Sequence, residues 1–178
     1  MFLLSSILTI SNFICGVLSI FSLFFSNIYA AILFIFLGMI FDLLDGAAAR
    51  KYNSISEFGK ELDSLSDIVT FCIAPSMLVY YISLYQLSII GLLIVLVFSI
   101  CGLIRLARFN AKQSNLSTFI GMPVPLAAFV LIGISFLQHP IIVAFCACLL
   151  GYLMVSRIKF PHFKNNANWE NDESGISK

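Results

Sequence analysis

The stretch FDLLDGAAARKYNSISEFGKELDSLSDIVTF, residues 41–71, sets four aspartates beside or within apolar runs: Asp42, Asp45, Asp63 and Asp67. An ionised carboxylate is costly to place in hydrocarbon, and each further carboxylate nearby repels the first. A chain that keeps four of them close together therefore needs something that compensates their charge. The composition and spacing of the surrounding residues indicate what that is.

The composition of the whole chain is that of a membrane protein. Of its 178 residues, 60% are hydrophobic and only 11% are charged. Soluble domains carry about 25% charged residues, so a soluble globular fold is excluded. The expected partner of such a surface is the lipid bilayer, and we expect no nucleic acid among its ligands.

Apolar runs long enough to cross a bilayer core of about 30 Å occur six times. They cover residues 5–25, 28–49, 64–84, 87–107, 119–137 and 140–157. The pattern predicts an all-α polytopic membrane protein with six transmembrane helices. We expect one membrane domain over residues 1–160 and a polar tail over residues 161–178.

The basic residues are distributed unevenly between the two ends of these predicted helices. All ten lie in the second connection, at the fourth connection or in the tail, and the first, third and fifth connections contain none. By the positive-inside rule, the basic connections face the cytoplasm. With an even number of spans, both termini are then predicted to be cytoplasmic, in a multi-pass protein of the cell membrane.

The spacing of the aspartates predicts a metal site. Asp42 and Asp45 are three residues apart and Asp63 and Asp67 four apart, so each pair shares one face of its helix. Membrane-edge aspartates also cap helices or pair with Arg and Lys, but four of them on neighbouring helices favour metal binding. Oxygen ligands suit Mg²⁺, Mn²⁺ or Ca²⁺, and two such ions sharing carboxylates are common in phosphoryl transfer.

Small and polar residues around the aspartates suggest room for a ligand. Gly46, Ala49 and Gly59 would let a bulky ligand approach the backbone, Arg50 could bind a phosphate, and Ser56 could donate a hydrogen bond. Near the start of the first span, two polar side chains could reach a nucleotide or simply join helices. They are Thr9 and Asn12.

A basic face ends the fourth predicted span. Arg105, Arg108 and Lys112 fall at positions i, i+3 and i+7, with Asn110 among them. This face could bind a substrate carboxylate or phosphate. Arg and Lys at the ends of spans also extend to lipid headgroups, and the spacing leaves both readings open.

The aspartate stretch resembles a known family at every fixed position of its signature. The pattern D-x-x-D-G-x-x-A-R-x(8)-G-x-x-x-D-x-x-x-D is typical of the CDP-alcohol phosphotransferases. In this chain it falls on Asp42, Asp45, Gly46, Ala49, Arg50, Gly59, Asp63 and Asp67. The stretches TISNFICG (9–16), RLARFN (105–110) and FIGMPVP (119–125) further resemble the small Gram-positive-type members whose acceptor is L-serine.

The resemblance implies a reaction and a division of roles. Such enzymes transfer the phosphatidyl group of CDP-diacylglycerol to an alcohol and release CMP. The four aspartates would hold two divalent cations, Mg²⁺ or Mn²⁺, and Asp67 would also take the proton of the attacking hydroxyl. Gly46, Arg50, Ser56 and Gly59 would line the cytidine diphosphate site, at the cytoplasmic side of a homodimer.

Two rival readings remain compatible with parts of this pattern. The same chemistry could use glycerol 3-phosphate or an inositol phosphate, because a basic face suits a phosphate as well as a carboxylate. The carboxylates could alternatively form the ion path of a cation channel or transporter. Against this second reading, residues 88–155 contain no Asp or Glu that could continue such a path.

Overall fold

The computed structural model describes residues 2–51, 56–112 and 122–156, with side chains for 5–48, 56–111 and 122–156. Within these ranges the chain is helical and contains no β-strand. The elements are α1 (Phe2–Phe24), α2 (Ile28–Lys51), α3 (Glu57–Asp67), a π-helical segment (Ile68–Ile73), α4 (Ala74–Ile82), a 3₁₀ turn (Leu84–Leu87), α5 (Ser88–Lys112), α6 (Val124–Ser135) and α7 (Pro140–Val155).

Four helical segments are long and apolar enough to cross a membrane. They are Ser5–Phe24, Ile28–Ala48, Glu57–Ile82 and Leu84–Ala111. The prediction of an all-α protein with several membrane-length helices is confirmed. The remaining two apolar helices, α6 and α7, have 12 and 16 residues and are shorter than a usual span.

The third membrane-length segment, Glu57–Ile82, begins seven residues before the apolar run that predicted it. Ser56 caps α3, because its Oγ accepts a hydrogen bond from the backbone N–H of Gly59 at 3.0 Å. Glu57 follows in the first turn, where a negative charge is favourable. The polar residues 57–63 are therefore helical, which places Asp63 and Asp67 on successive turns of one regular helix.

A π-helical segment interrupts the same span directly after Asp67. The backbone N–H of Ala74 bonds to the carbonyl of Val69, five residues earlier. Pro75 explains the change of register, because it has no N–H to donate and its ring crowds the carbonyl four residues before it. Local π-helical adjustment is one of the ways in which membrane helices accommodate proline.

Helix α1 is the element that joins the two acidic helices. It packs along α2 and also contacts α3, the π-helical segment and α4. Direct contact between the α2 and α3 backbones is slight by comparison. The aspartates of α2 and α3 therefore meet against α1, and the side chains of α1 are the ones that can reach both sets.

Candidate metal and active site

Three of the four aspartate carboxylates converge. One carboxylate oxygen from each of Asp42, Asp63 and Asp67 lies within 4.8 Å of the other two. Asp42 is contributed by α2, and the other two come from successive turns of α3. The prediction that the acidic faces of these helices meet is confirmed for these three residues.

Asp45 lies beside this cluster and is held separately. Asp45 is only 4% exposed. Its Oδ2 accepts a hydrogen bond from the hydroxyl of Thr9 at 2.8 Å. The sequence left two roles open for Thr9, contact with a nucleotide or a hydrogen bond between helices, and the structure shows its hydroxyl in an interhelical bond to this carboxylate.

Asp67 is held in the same manner by the other polar residue of α1. The side-chain Nδ2 of Asn12 donates to Oδ1 of Asp67 at 3.2 Å. An ionised carboxylate can only accept, so the amide nitrogen is the Asn12 atom that faces it. Asn12 is fully buried, so this contact is sheltered from solvent and lipid.

Among the side chains that the structure describes, no salt bridge balances the negative charge of the site. No described Lys or Arg side chain lies within salt-bridge distance of any of the four aspartates, although the charge of Arg105 interacts with that of Asp67 at longer range. The Nε of Arg105 is buried and has no hydrogen-bond partner. A single longer-range cation does not neutralise four carboxylates.

The donor set fits a divalent cation. Every converging atom is a carboxylate oxygen, the ligand type that Mg²⁺ and Mn²⁺ prefer. In addition, Oδ1 of Asp63 is buried and has no hydrogen-bond partner in the described part of the chain. A buried carboxylate oxygen without a partner is costly, and a bound cation would remove that cost.

The other residues predicted around the diphosphate lie at the neighbouring helix ends. Gly46 is half-buried on α2, and a Cβ built on Gly59 would meet, of the described residues, only the Ser56 hydroxyl within 4 Å. Ser56 itself caps α3. Ala49 and Arg50 lie on the last turns of α2, and their side chains are outside the described residues.

The two arginines of the predicted basic face of α5 have different surroundings. The positive charge of Arg105 interacts with the negative charge of Asp67. Arg108 instead donates from Nη1 to the backbone carbonyl of Val155 at 2.8 Å, at the end of α7. One of these arginines thus interacts electrostatically with the carboxylate site, and the other joins two helices.

The remaining members of that face also differ. Asn110 accepts a hydrogen bond from Ser64 at 3.1 Å and donates to Glu61 at 3.3 Å, so it links α5 to the outer side of α3. Lys112 ends α5, and its side chain is outside the described residues.

Two residues that contact the site were not singled out in the sequence. Ser66 donates to the carbonyl of Thr9 at 3.0 Å, and Thr70 donates to the carbonyl of Asn12 at 3.0 Å. Both could have been found from periodicity. Together with Asp63 and Asp67 they form a polar stripe at positions i, i+3, i+4 and i+7 of an otherwise apolar span.

Comparison with known proteins identifies the class to which this site belongs. The chain belongs to the CDP-alcohol phosphatidyltransferase family, whose family model matches residues 2–157. This match confirms the family resemblance found in the aspartate signature.

Individual relatives are similar over most of their length. The CDP-diacylglycerol–serine O-phosphatidyltransferase of Bacillus subtilis is 57% identical over 168 residues, which cover 94% of each chain. The enzyme of the same name from Methanocaldococcus jannaschii is 41% identical over 163 residues, 91% of this chain and 75% of the relative. The archaetidylserine synthase of Methanothermobacter thermautotrophicus is 35% identical over 165 residues, 89% of this chain and 69% of the relative.

Proposed function

We propose that this protein is a membrane enzyme that transfers the phosphatidyl group of CDP-diacylglycerol to the hydroxyl of L-serine, forming phosphatidylserine and CMP. The observation that carries the proposal is the convergence of Asp42, Asp63 and Asp67 inside a bundle of membrane-length helices. The choice of serine is supported by the names of the relatives, which include both a bacterial and an archaeal serine enzyme.

The reaction exchanges one phosphorus–oxygen bond for another. The serine hydroxyl oxygen bonds to the phosphorus of the phosphatidyl group, and the bond from that phosphorus to the CMP phosphate oxygen breaks. CMP leaves with the bonding electron pair, and Asp67 accepts the hydroxyl proton. A positioned general base contributes about 10²–10⁴-fold to such a step.

The four aspartates, Asp42, Asp45, Asp63 and Asp67, would hold two divalent cations, Mg²⁺ or Mn²⁺. When bound, these ions supply neutralising charge for the diphosphate and the leaving CMP oxygen. Thr9 and Asn12 orient two of the carboxylates through the hydrogen bonds described above. Thr9 and Asn12 would thus hold two of the metal-binding carboxylates in addition to lining the edge of the nucleotide site.

The nucleotide end of the substrate would lie at the helix ends that follow the aspartates. The proposed site is lined by Thr9, Asn12, Gly46, Ala49, Arg50, Ser56 and Gly59. The surroundings of Gly59 support this assignment, since the Ser56 hydroxyl is the only described group within 4 Å of a Cβ built there.

The acceptor end would lie at the α5 side of the cluster. Arg105 is our candidate for binding the serine carboxylate, because its charge interacts with that of Asp67 and its buried Nε has no hydrogen-bond partner among the described residues. A guanidinium also matches the planar carboxylate group. Arg108 and Asn110 would support this site indirectly, because they hold α5 against α7 and α3, and Lys112 would add a further positive charge at the end of α5.

The membrane arrangement that we propose has six crossings, both termini in the cytoplasm and the aspartates at the cytoplasmic side. Residues 1–160 would form the membrane domain, residues 161–178 a cytoplasmic tail, and two copies a homodimer in the cell membrane. The basic residues lie only in the second connection, at the fourth connection and in the tail, which supports this orientation by the positive-inside rule. The family resemblance supports the dimer.

The direct test is CMP release by purified protein in detergent or lipid nanodiscs. We expect release from CDP-diacylglycerol with Mg²⁺ or Mn²⁺ and L-serine, and none without serine or after EDTA treatment. Glycerol 3-phosphate and inositol 1-phosphate are the control acceptors, since Arg105 could also bind a phosphate. Faster release with either of them would overturn the choice of serine, and undiminished release in EDTA would overturn the metal site.

A further inference from the structure

Helix α1 meets the third membrane-length segment through two hydroxyl-to-carbonyl hydrogen bonds that are spaced regularly. Ser66 donates to the carbonyl of Thr9, and Thr70 donates to the carbonyl of Asn12. The side chains of the same two α1 residues donate to Asp45 and Asp67. Each of these α1 residues thus contacts the third segment through its backbone and an aspartate through its side chain.

The Thr70 contact requires an opening in the surface of α1. In an α-helix the carbonyl of Asn12 already accepts from the N–H of residue 16, so a second donor must approach beside that residue. Residue 16 is glycine, and a Cβ built there would lie 2.5 Å from the Thr70 hydroxyl oxygen and 2.9 Å from the Thr70 Cα. Any side chain at position 16 would therefore block the hydrogen bond.

A second glycine forms the opposite wall of the same slot. A Cβ built on Gly38 of α2 would lie 2.6 Å from the Thr70 methyl carbon and 2.9 Å from Oδ1 of Asn12. Thr70 is fully buried between the two glycines. Three helical segments thus approach one another at a single threonine, which lies three residues beyond Asp67 in the π-helical segment.

We propose that Thr70 is a positioning residue for the carboxylate site: its hydroxyl fixes α1 against the third segment and thereby holds the Asn12 amide on Asp67. This inference rests on the proposed divalent-metal site. Thr70 touches neither substrate nor metal in this role. Its effect passes through the backbone of Asn12, whose side chain is the only described hydrogen-bond donor to Asp67.

The test is Mn²⁺ binding by purified protein, measured by electron paramagnetic resonance without any substrate. Loss of an outer partner of a metal ligand typically costs about 10–100-fold in metal affinity, so Thr70→Val should weaken Mn²⁺ binding at least about tenfold. Valine keeps the shape and removes the hydroxyl. Thr70→Ser keeps the hydroxyl and removes the methyl group, so it should bind Mn²⁺ within about threefold of the wild type.

A matched control lies in the same membrane-length segment. Ser76 is also buried and donates from its hydroxyl to a carbonyl, that of Val95 on α5, away from the aspartates. Ser76→Ala should lower thermal stability by an amount comparable to Thr70→Val and leave Mn²⁺ binding unchanged. Thr70→Ala serves as the second hydroxyl-free variant if Thr70→Val is not recovered folded.

A double variant checks the route through Asn12. Coupled residues show non-additive effects, so Thr70→Val should cause little further loss of Mn²⁺ affinity when Asn12→Ala is already present. Full additivity would overturn the proposed route, as would wild-type Mn²⁺ binding by Thr70→Val or equal losses in Thr70→Val and Thr70→Ser. If the wild type binds Mn²⁺ but releases no CMP with serine, the choice of serine as the acceptor is wrong, and the proposed role of Thr70 stands.

Discussion

Asp67 differs from the other aspartates in the number of groups that surround it. It belongs to the converging cluster, accepts the Asn12 amide and interacts with the charge of Arg105. The other three aspartates each lack at least one of these neighbours among the described residues. A residue that meets both the proposed metal site and the proposed acceptor site is well placed to receive the acceptor's proton.

Asp67→Asn should separate substrate binding from turnover. The amide keeps an oxygen that can face a cation, but it no longer accepts a proton, so we expect at least about a hundredfold loss of CMP release. Binding of CDP-diacylglycerol should persist. The measurement is binding of the nucleotide lipid beside serine-dependent CMP release, on one preparation.

Asp63→Asn is the control variant for Asp67→Asn. Asp63 lies on the same helix face and in the same cluster, so its variant reports the loss of a carboxylate ligand alone. If Asp67→Asn loses lipid binding and turnover together, as a pure ligand variant would, Asp67 is chiefly a ligand. If turnover is retained, the base lies elsewhere.

At the residue scale, the local spacing of the aspartates predicts that their carboxylates share helix faces. It does not predict their hydrogen-bond partners. The i, i+3 and i, i+4 pairs define a helix face without any knowledge of the fold. The partners of Asp45 and Asp67 lie 36 and 55 residues away on α1, and no local pattern specifies that pairing. Thr9 and Asn12 could be recognised as unusual polar residues, but their hydrogen bonds required the structure.

At the scale of elements, α5 carries two arginines with different surroundings three residues apart. Arg108 bonds to the carbonyl of Val155 at the end of α7, a group that has no partner within its own helix. Arg105 makes no such bond among the described residues, and its charge interacts with that of Asp67. The sequence shows one basic face, and only the packing of α7 against α5 distinguishes its members.

We expect the two arginine variants to change different properties. Arg105→Ala should raise the serine KM at least about tenfold, because a charged hydrogen bond contributes about 1.5–3 kcal/mol. Arg108→Ala should leave the serine KM nearly unchanged and lower the free energy of unfolding by about 1–3 kcal/mol, because it leaves a carbonyl unpaired. Steady-state kinetics and thermal unfolding of both variants provide the measurement.

The opposite pattern would reassign the basic face. A raised serine KM in Arg108→Ala, with unchanged stability, would mean that Arg108 binds the acceptor. Unchanged kinetics in both variants would favour the reading in which these side chains only extend to lipid headgroups.

The interruption of the third membrane-length segment shows a further limit of the sequence at this scale. Pro75 predicts a disturbance of the helix, but the apolar run around it gives no sign of whether a kink, a break or a π-helical segment will result. The buried contacts of this segment, such as the Thr70 hydrogen bond to the carbonyl of Asn12, are made with other helices and cannot be read from the run itself.

At the scale of the whole molecule, the short helix α7 has contacts near both ends of α5. Its first residues follow the turn after α6, and it contacts the 3₁₀ turn Leu84–Leu87 that precedes α5. Its last residue is bonded by Arg108, near the other end of α5. Helix α5 is long enough to cross the membrane. Because α7 meets both ends of α5, its contacts support a further crossing by α7, and so six crossings rather than four.

Reporter fusions can distinguish these two topologies. With six crossings, the turn between α6 and α7 lies outside the cell and the C-terminus lies inside. With four crossings, both lie inside, because α6 and α7 would then stay on the cytoplasmic side. A fusion after Gln138 is therefore decisive, whereas a fusion after Lys178 is on the same side in both cases and serves as the control.

We expect alkaline phosphatase fused after Gln138 to be active and green fluorescent protein at that position to be dark. Both expectations reverse for fusions after Lys178, because the phosphatase folds only outside and the fluorescent protein only inside the cytoplasm. The physical reason is the positive-inside rule: Arg105 and Arg108 hold the end of α5 inside, and the turn after α6 carries no Lys or Arg. Fluorescence after Gln138 would contradict six crossings, and phosphatase activity after Lys178 would reverse the side on which the aspartates lie.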